Sequence, residues 1–174
     1  MSITFKIEES NVIKGVWIIV PSISIDNRGA IWTSYISTAL KKFIPVGLSF
    51  KHDKFSKSKK NVLRGIHGDE KTWKLVTCVF GEIEQVVVDM RKQSDTYLKW
   101  QKFLINENNQ CLILLPPNIG NAFYVKTDQA VYHYKLAYKG DYFDEKRQFS
   151  VKWNDRRIGI KWPISNPILS ERDK

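Results

Sequence analysis

At 174 residues, with 43% hydrophobic and 13% aromatic residues, the chain has enough apolar material to bury a real core without disulfides or structural metal. It shows no internal repeat, linker or low-complexity stretch, so one domain spanning residues 1–174 is expected, and no apolar run approaches the length needed to cross a membrane. A formal net charge of +10 leaves three readings open: a nucleic-acid surface, a steering field for an anionic small molecule, or a solvated face.

From the N-terminus, residues 1–9 lack the long apolar stretch of a signal peptide, and a cytoplasmic location is expected. Strands are predicted at residues 16–20 (ending at Pro21), 31–36, 46–50, 75–80, 83–90, 110–115, 122–125 and 130–137. These runs are rich in β-branched and aromatic residues. Asp26-Asn27-Arg28-Gly29 reads as a turn, and Gly81-Glu82 sits at hairpin spacing between two apolar runs. Helical signal is confined to residues 37–43, two turns after a Ser or Thr cap. Many short strands with close turns predict an all-β antiparallel sandwich or barrel. Cys78 and Cys111 each lie inside an apolar run and read as buried core thiols of a reducing compartment.

Five lysines between Lys51 and Lys60 form the densest basic cluster, and no nucleic-acid module motif accompanies them. A solvated loop is the plain reading. Adjacency to Arg64 favours steering of a nucleoside diphosphate into a cleft. Just beyond lies Val62-Leu63-Arg64-Gly65-Ile66-His67, followed by Lys74. A histidine that titrates near neutrality between two fixed cations suits removal of a proton from carbon in an anionic, oxygen-rich substrate. The competing reading is a basic loop with an incidental histidine. Gly65 and Gly68 keep bulk away from the ring, as a binding site needs. His133 falls between Tyr132 and Tyr134, so strand alternation turns it to the face opposite Tyr134. The chain has three histidines, too few and too dispersed for the converging ligand set of a metal site, so no metal is expected.

These segments, with Asp26-Asn27-Arg28-Gly29, Val87-Val88-Asp89-Met90-Arg91, Tyr134-Lys135, Trp153-Asn154-Asp155, Trp162-Pro163 and Leu169-Ser170-Glu171-Arg172-Asp173, resemble the sugar-nucleotide 3,5-epimerases of the dTDP-4-dehydrorhamnose type over nearly the whole chain. The resemblance implies a double-stranded β-helix jelly roll of the cupin class with a few short helices, working without cofactor on a nucleotide-sugar substrate. It casts His67 as general base, Asp173 as the carboxylate that orients it, Tyr134 as general acid and Lys74 as the cation beside the developing enolate. It makes Arg64 and Arg28 phosphate contacts, with the Arg28 region reaching a neighbouring subunit's site in a homodimer. Nucleic acid and membrane are not expected partners.

The departures bear on the substrate. Gly68-Asp69 stands where such proteins carry Tyr-Gln, Asn121 replaces a second histidine, Thr33 replaces an acidic nucleotide contact and His52 replaces a glutamine. Asp69, Asn121, Thr33, His52 and Tyr138 are therefore read as substrate-binding positions, with Tyr142 an alternative to Tyr138. The Gly-Asp variant is similar to epimerases of GDP-linked 4-keto-6-deoxy-heptoses in bacterial capsular polysaccharide synthesis, and the small Gly68 is expected to leave room for the extra carbon. Two other readings stand beside epimerisation: a 3,4-ketoisomerase on a related jelly roll, and a catalytically silent sugar-nucleotide-binding module.

Overall fold

β-Branched and aromatic residues dominate the core, and nearly all the regular secondary structure of the computed structural model is strand. It describes residues 2–174; Met1, at the head of the segment read above for a leader, lies outside the described residues. A six-stranded antiparallel sheet runs in the order β1 (Phe5–Glu9), β2 (Trp17–Pro21), β10 (Leu112–Leu115), β7 (Trp73–Phe80), β12 (Gln129–Ala137), β5 (Phe50–Lys59). A five-stranded antiparallel sheet runs β13 (Phe149–Ser150), β6 (Leu63–Gly68), β11 (Ile119–Val125), β8 (Glu82–Asp89), β9 (Trp100–Asn106). β3 (Ile23–Asp26) and β4 (Gly29–Trp32) make a separate hairpin. Neighbours in each sheet are mostly distant in sequence, the signature of a jelly roll, as expected.

The two sheets face each other across a core that includes Val76, Cys78, Ile113 and Tyr132 from the first and Ile83, Val87, Ile105 and Phe123 from the second. Each sheet is also covered on its outer face. Ile19, Leu75, Leu112 and Leu114 pack under Leu40 and Ile44, while Ile66, Val86, Val88 and Ala122 pack under Ile158, Ile160 and Trp162 of the C-terminal chain. Burial on both faces explains why β10, most of β7 and residues 86–88 of β8 read as continuous apolar runs rather than alternating ones. Both cysteines are buried, and burial pushes each thiol up to about 11, so neither is a reactive thiolate.

Several local expectations are corrected. Residues 51–60 are not a loop: they form most of β5, and alternation sends His52, Lys54, Ser56 and Ser58 to one face and Lys51, Asp53, Phe55, Lys57 and Lys59 to the other. The expected strand at 46–50 begins only at Phe50, and β1, β6 and β9 were not foreseen. The helix is a single turn, α1 (Ser37–Leu40), followed by a 3-10 turn at Lys41–Phe43. Its N-cap is Ile36 with no side-chain hydrogen bond, because Ser37 already sits inside the turn. What holds it is Leu40, fully buried against the sheet.

Candidate active site

The site begins with an irregularity in β6. Asn121 pairs with His67, but Phe123, two residues on, pairs with Arg64, three residues back. The extra residue is a β-bulge, and it lets Arg64 and His67 face the same cavity although three residues apart. Gly65 permits it: its φ is +112°, and a Cβ there would stand 2.5 Å from the Asn121 carbonyl oxygen.

The cavity, of about 440 Å³, lies between the sheets and under the C-terminal tail. The tail is stitched on by main-chain bonds: the Ile168 N–H donates to the Asn61 carbonyl and the Leu63 N–H to the Ile168 carbonyl. Arg172 Nε then donates to Ser150 Oγ on β13 at 2.7 Å. A closing 3-10 turn over Glu171–Asp173 delivers Asp173, 5% exposed, to His67, with Oδ1 2.5 Å from Nε2. Ser170 Oγ donates to the other carboxylate oxygen at 2.8 Å. Burial alone would raise the Asp173 pKa. The bonds from His67 and Ser170 outweigh it and, with the His67 and Arg172 charges, hold the carboxyl below its ordinary range.

Tyr134 lines the cavity from β12, on the sheet opposite His67. Burial pushes its pKa up; the Arg64 charge opposes, and Tyr142 and Asp173 add to the rise, so the phenol is neutral and carries its proton. Lys74, at the start of β7, is 8% exposed, and burial lowers its pKa against the opposing Asp69 charge 3.7 Å away. Arg64, Lys54 and Arg172 add three cations to the wall, beside the carboxylates Glu145 and Glu171, and Arg64 Nε is held by Ser58 Oγ at 3.0 Å. Asn121 also lines the cavity.

Thus His67, Tyr134, Asp173, Lys74, Arg64, Asn121 and Tyr142 come together; the other sequence candidates do not. Asp69 points under Lys74, and its Oδ1 accepts the Thr72 and Lys71 N–H groups, so it supports the lysine rather than facing a ligand. Arg28 lies on the exposed β3–β4 hairpin, bonded to Asp26, and Thr33 follows that hairpin; neither lines this chain's cavity. His52 and Tyr138 also lie off the cavity wall. Their polar atoms are 3.3 Å apart, and it is Tyr142, edge-on to His52, that lines the cavity. The room assigned to Gly68 is already filled, since a Cβ there would stand 2.3 Å from the Phe149 ring. Of the five lysines in the basic cluster, only Lys54 lines the cavity. His133 is on the opposite face, as alternation predicts, bonded to Asp53 and stacked on Phe55.

Sequence reasoning missed Lys54, Ser56, Gln148, Ser170 and Arg172 as wall residues. Parity along β5 would have found the first two had the strand been recognised. Gln148 and Arg172 carry no local signal, because their chain segments meet only in the folded molecule.

The comparisons with known proteins fit this geometry. The family model for dTDP-4-dehydrorhamnose 3,5-epimerase matches residues 10–174. The chain belongs to that family. It is 36% identical over 165 residues to the dTDP-4-dehydrorhamnose 3,5-epimerase of Salmonella typhimurium, covering 92% of this chain and 88% of that one. Among solved structures, it superposes with a TM-score of 0.88 on the Legionella pneumophila dTDP-6-deoxy-D-glucose-3,5-epimerase in complex with dTDP-4-keto-L-rhamnose, at 30% identity, covering 98% and 90% of the two chains. A 3'-monoepimerase from Streptomyces bikiniensis in complex with dTDP-quinovose matches at TM-score 0.85 and 28% identity, over 95% and 84%. Membership makes the chain an isomerase of the cupin-type epimerase family.

Proposed function

We propose that this isomerase inverts C3, C5 or both centres of a nucleotide-linked 4-keto-6-deoxy sugar through an enolate. The observation that carries the reading is the placement of His67 and Tyr134 on opposite sheets of one cavity, with Lys74 lining it from the strand next to Tyr134's. The ketone acidifies the carbon on either side of it. The His67 ring nitrogen not held by Asp173 takes a proton from one face, and the electron pair moves onto the C4 oxygen. Lys74 stabilises that oxygen. Tyr134, neutral because it is buried, returns a proton to the other face and is recharged from solvent. Asp173 fixes the imidazole tautomer and the orientation of the ring.

Arg64, Lys54 and Arg172 suit the diphosphate, with Arg as the bidentate partner. We place the Arg28 hairpin in the neighbouring cavity of a homodimer. Exposed Ile25 and Ile31 on that hairpin support an interface there. No metal enters the scheme, since His67 is paired with Asp173 while His52 and His133 are engaged elsewhere.

The finer substrate we infer is a GDP-linked heptose. Its support is now Thr33 and His52, which replace groups tied by resemblance to the nucleotide, with His52 set against the cavity-lining Tyr142. Gly68 no longer argues for it, because Phe149 fills that space. The named relatives favour a dTDP-linked hexose instead. Specificity constants for GDP-4-keto-6-deoxy-heptose and dTDP-4-keto-6-deoxy-glucose decide between them, and a preference for the second refutes the heptose while leaving the chemistry intact.

Proton NMR in heavy water tests the reaction itself. Deuterium entering C3 or C5 with inversion is expected; a moved carbonyl would indicate a ketoisomerase, and no exchange a silent binder. Tyr134→Phe should keep exchange on the original face by His67 and lose inversion.

A further inference from the structure

Behind the cavity wall lies a chain of polar side chains that the mechanism does not use. Tyr132 on β12, Gln85 on β8 and Asn121 on β11 are 0%, 0% and 6% exposed. The Tyr132 hydroxyl donates to Gln85 Oε1 at 2.6 Å, and Gln85 Nε2 donates to Asn121 Oδ1 at 2.5 Å. Around them the core is apolar, with Phe123 stacked on Tyr132 at a ring distance of 4.3 Å. Buried amides in such surroundings are costly unless satisfied, so their bonds define one arrangement.

The direction of the chain follows from its inner end. Gln85 Nε2 lies 3.4 Å from the Val86 carbonyl oxygen, a group that can only accept. The nitrogen of Gln85 must therefore sit on that side, with its oxygen towards the Tyr132 hydroxyl. The same nitrogen meets Asn121, so Asn121 must answer with its oxygen. What Asn121 has left for the cavity it lines is its NH2 group, directly across the strand pair from His67.

We propose that Gln85 and Tyr132 are positioning residues that hold the Asn121 amide with its N–H groups towards the cavity, making Asn121 an uncharged donor to the sugar carbonyl oxygen that gains charge when His67 takes its proton. The proposal rests on the epimerase reading. It gives this chain a donor that does not titrate where the family resemblance implies an imidazole. Lys74 supplies charge at that oxygen, and Asn121 supplies direction.

The test measures steady-state epimerisation and deuterium wash-in for the intact protein, the single variants Asn121→Ala, Gln85→Met and Tyr132→Phe, and the double variant Gln85→Met/Asn121→Ala. Asn121→Ala should lower kcat about 100-fold, as removal of an oxyanion donor does elsewhere. Gln85→Met should lower kcat about tenfold with KM held within about twofold, since a loosened amide costs less than an absent one. In the Asn121→Ala background, Gln85→Met should change kcat less than about twofold, because its effect passes through Asn121. Equal slowing in both backgrounds would overturn the proposal, as would an unchanged rate in Asn121→Ala. Should Gln85→Met fail to fold by circular dichroism, Tyr132→Phe and the double variant Tyr132→Phe/Asn121→Ala carry the same comparison, since Tyr132→Phe keeps the ring on Phe123 and removes only the hydroxyl. Absence of exchange by the wild-type protein on any 4-keto sugar nucleotide would overturn the epimerase reading. Wild-type exchange with insensitive variants would overturn this proposal alone.

Discussion

Two buried carboxylates, Asp89 and Asp173, have pKa values below the ordinary range, yet they are built in opposite ways. At Asp89, 0% exposed, burial acts to raise the value, but bonds from Arg91, Ser94 and Thr96 bring it down to about 2. Both of its oxygens are taken: Arg91 donates to each, Ser94 and Thr96 hydroxyls donate at 2.6 Å, and the Arg91 N–H adds another bond. All these partners lie within seven residues of it in sequence. Asp173 has one such neighbour, Ser170, and its other partner is His67, 106 positions away. A carboxylate saturated by its own loop has nothing to offer a ligand and serves the fold. One that reaches across the molecule to an imidazole at a cavity wall serves the site.

Substitutions should separate the two roles. The largest effect on rate is expected from His67→Asn, which should slow deuterium exchange at C3 and C5 by about 10⁴-fold, since in the proposed scheme His67 begins every step. Retained exchange in a folded variant would remove His67 from that role. Asp173→Asn should cost about 10³- to 10⁴-fold in kcat, the scale on which losing a histidine-orienting carboxylate slows other enzymes, with little change in thermal stability. Truncation before Leu169 should do the same; a harmless truncation would reduce Asp173 to a tail charge.

Asp89→Asn should invert that pattern. Leaving Arg91 without its partner is expected to destabilise the fold by about 3 kcal/mol in chemical denaturation, while kcat at low temperature stays near wild type. The pH dependence has a definite sign. Because the folded pKa is depressed, the stability advantage of Asp89 over Asn is complete above about pH 4 and fades as pH falls towards about 2. Melting curves of both proteins across that range check it, and an advantage that grows on acidification would contradict the pairing.

The smallest effect is expected from Ser170→Ala. Losing one bond to Asp173 should lower kcat/KM by about threefold. That bond lowers the Asp173 pKa, so its removal should move the acid limb of the pH–rate profile to higher pH. A limb that stays in place would separate Ser170 from the carboxylate.

Local chemistry was readable along the chain. The Asp89 loop is a stretch of adjacent donors, and His67 with Arg64, Gly65 and Lys74 announced a site because those residues are sequence neighbours. β5 was hidden by its lysines, which look like loop until pairing with β12 gives the strand an inner and an outer face. Gly68 misled because a glycine reads as empty space, and only the folded chain shows the Phe149 ring occupying it.

The sequence by itself determined the strand-rich class, the thiols buried in apolar runs and the grouping of His67 with Arg64 and Lys74, because periodicity, propensity and short-range chemistry act between residues already close along the chain. The tertiary structure alone decided which of them share a cavity. The β6 bulge turned Arg64 and His67 to one side, the tail brought Asp173 across 106 positions, and Asn121 received its orientation from Gln85 and Tyr132 on two other strands. Such contacts depend on strand register and on burial that excludes water, and neither quantity is a property of any short segment.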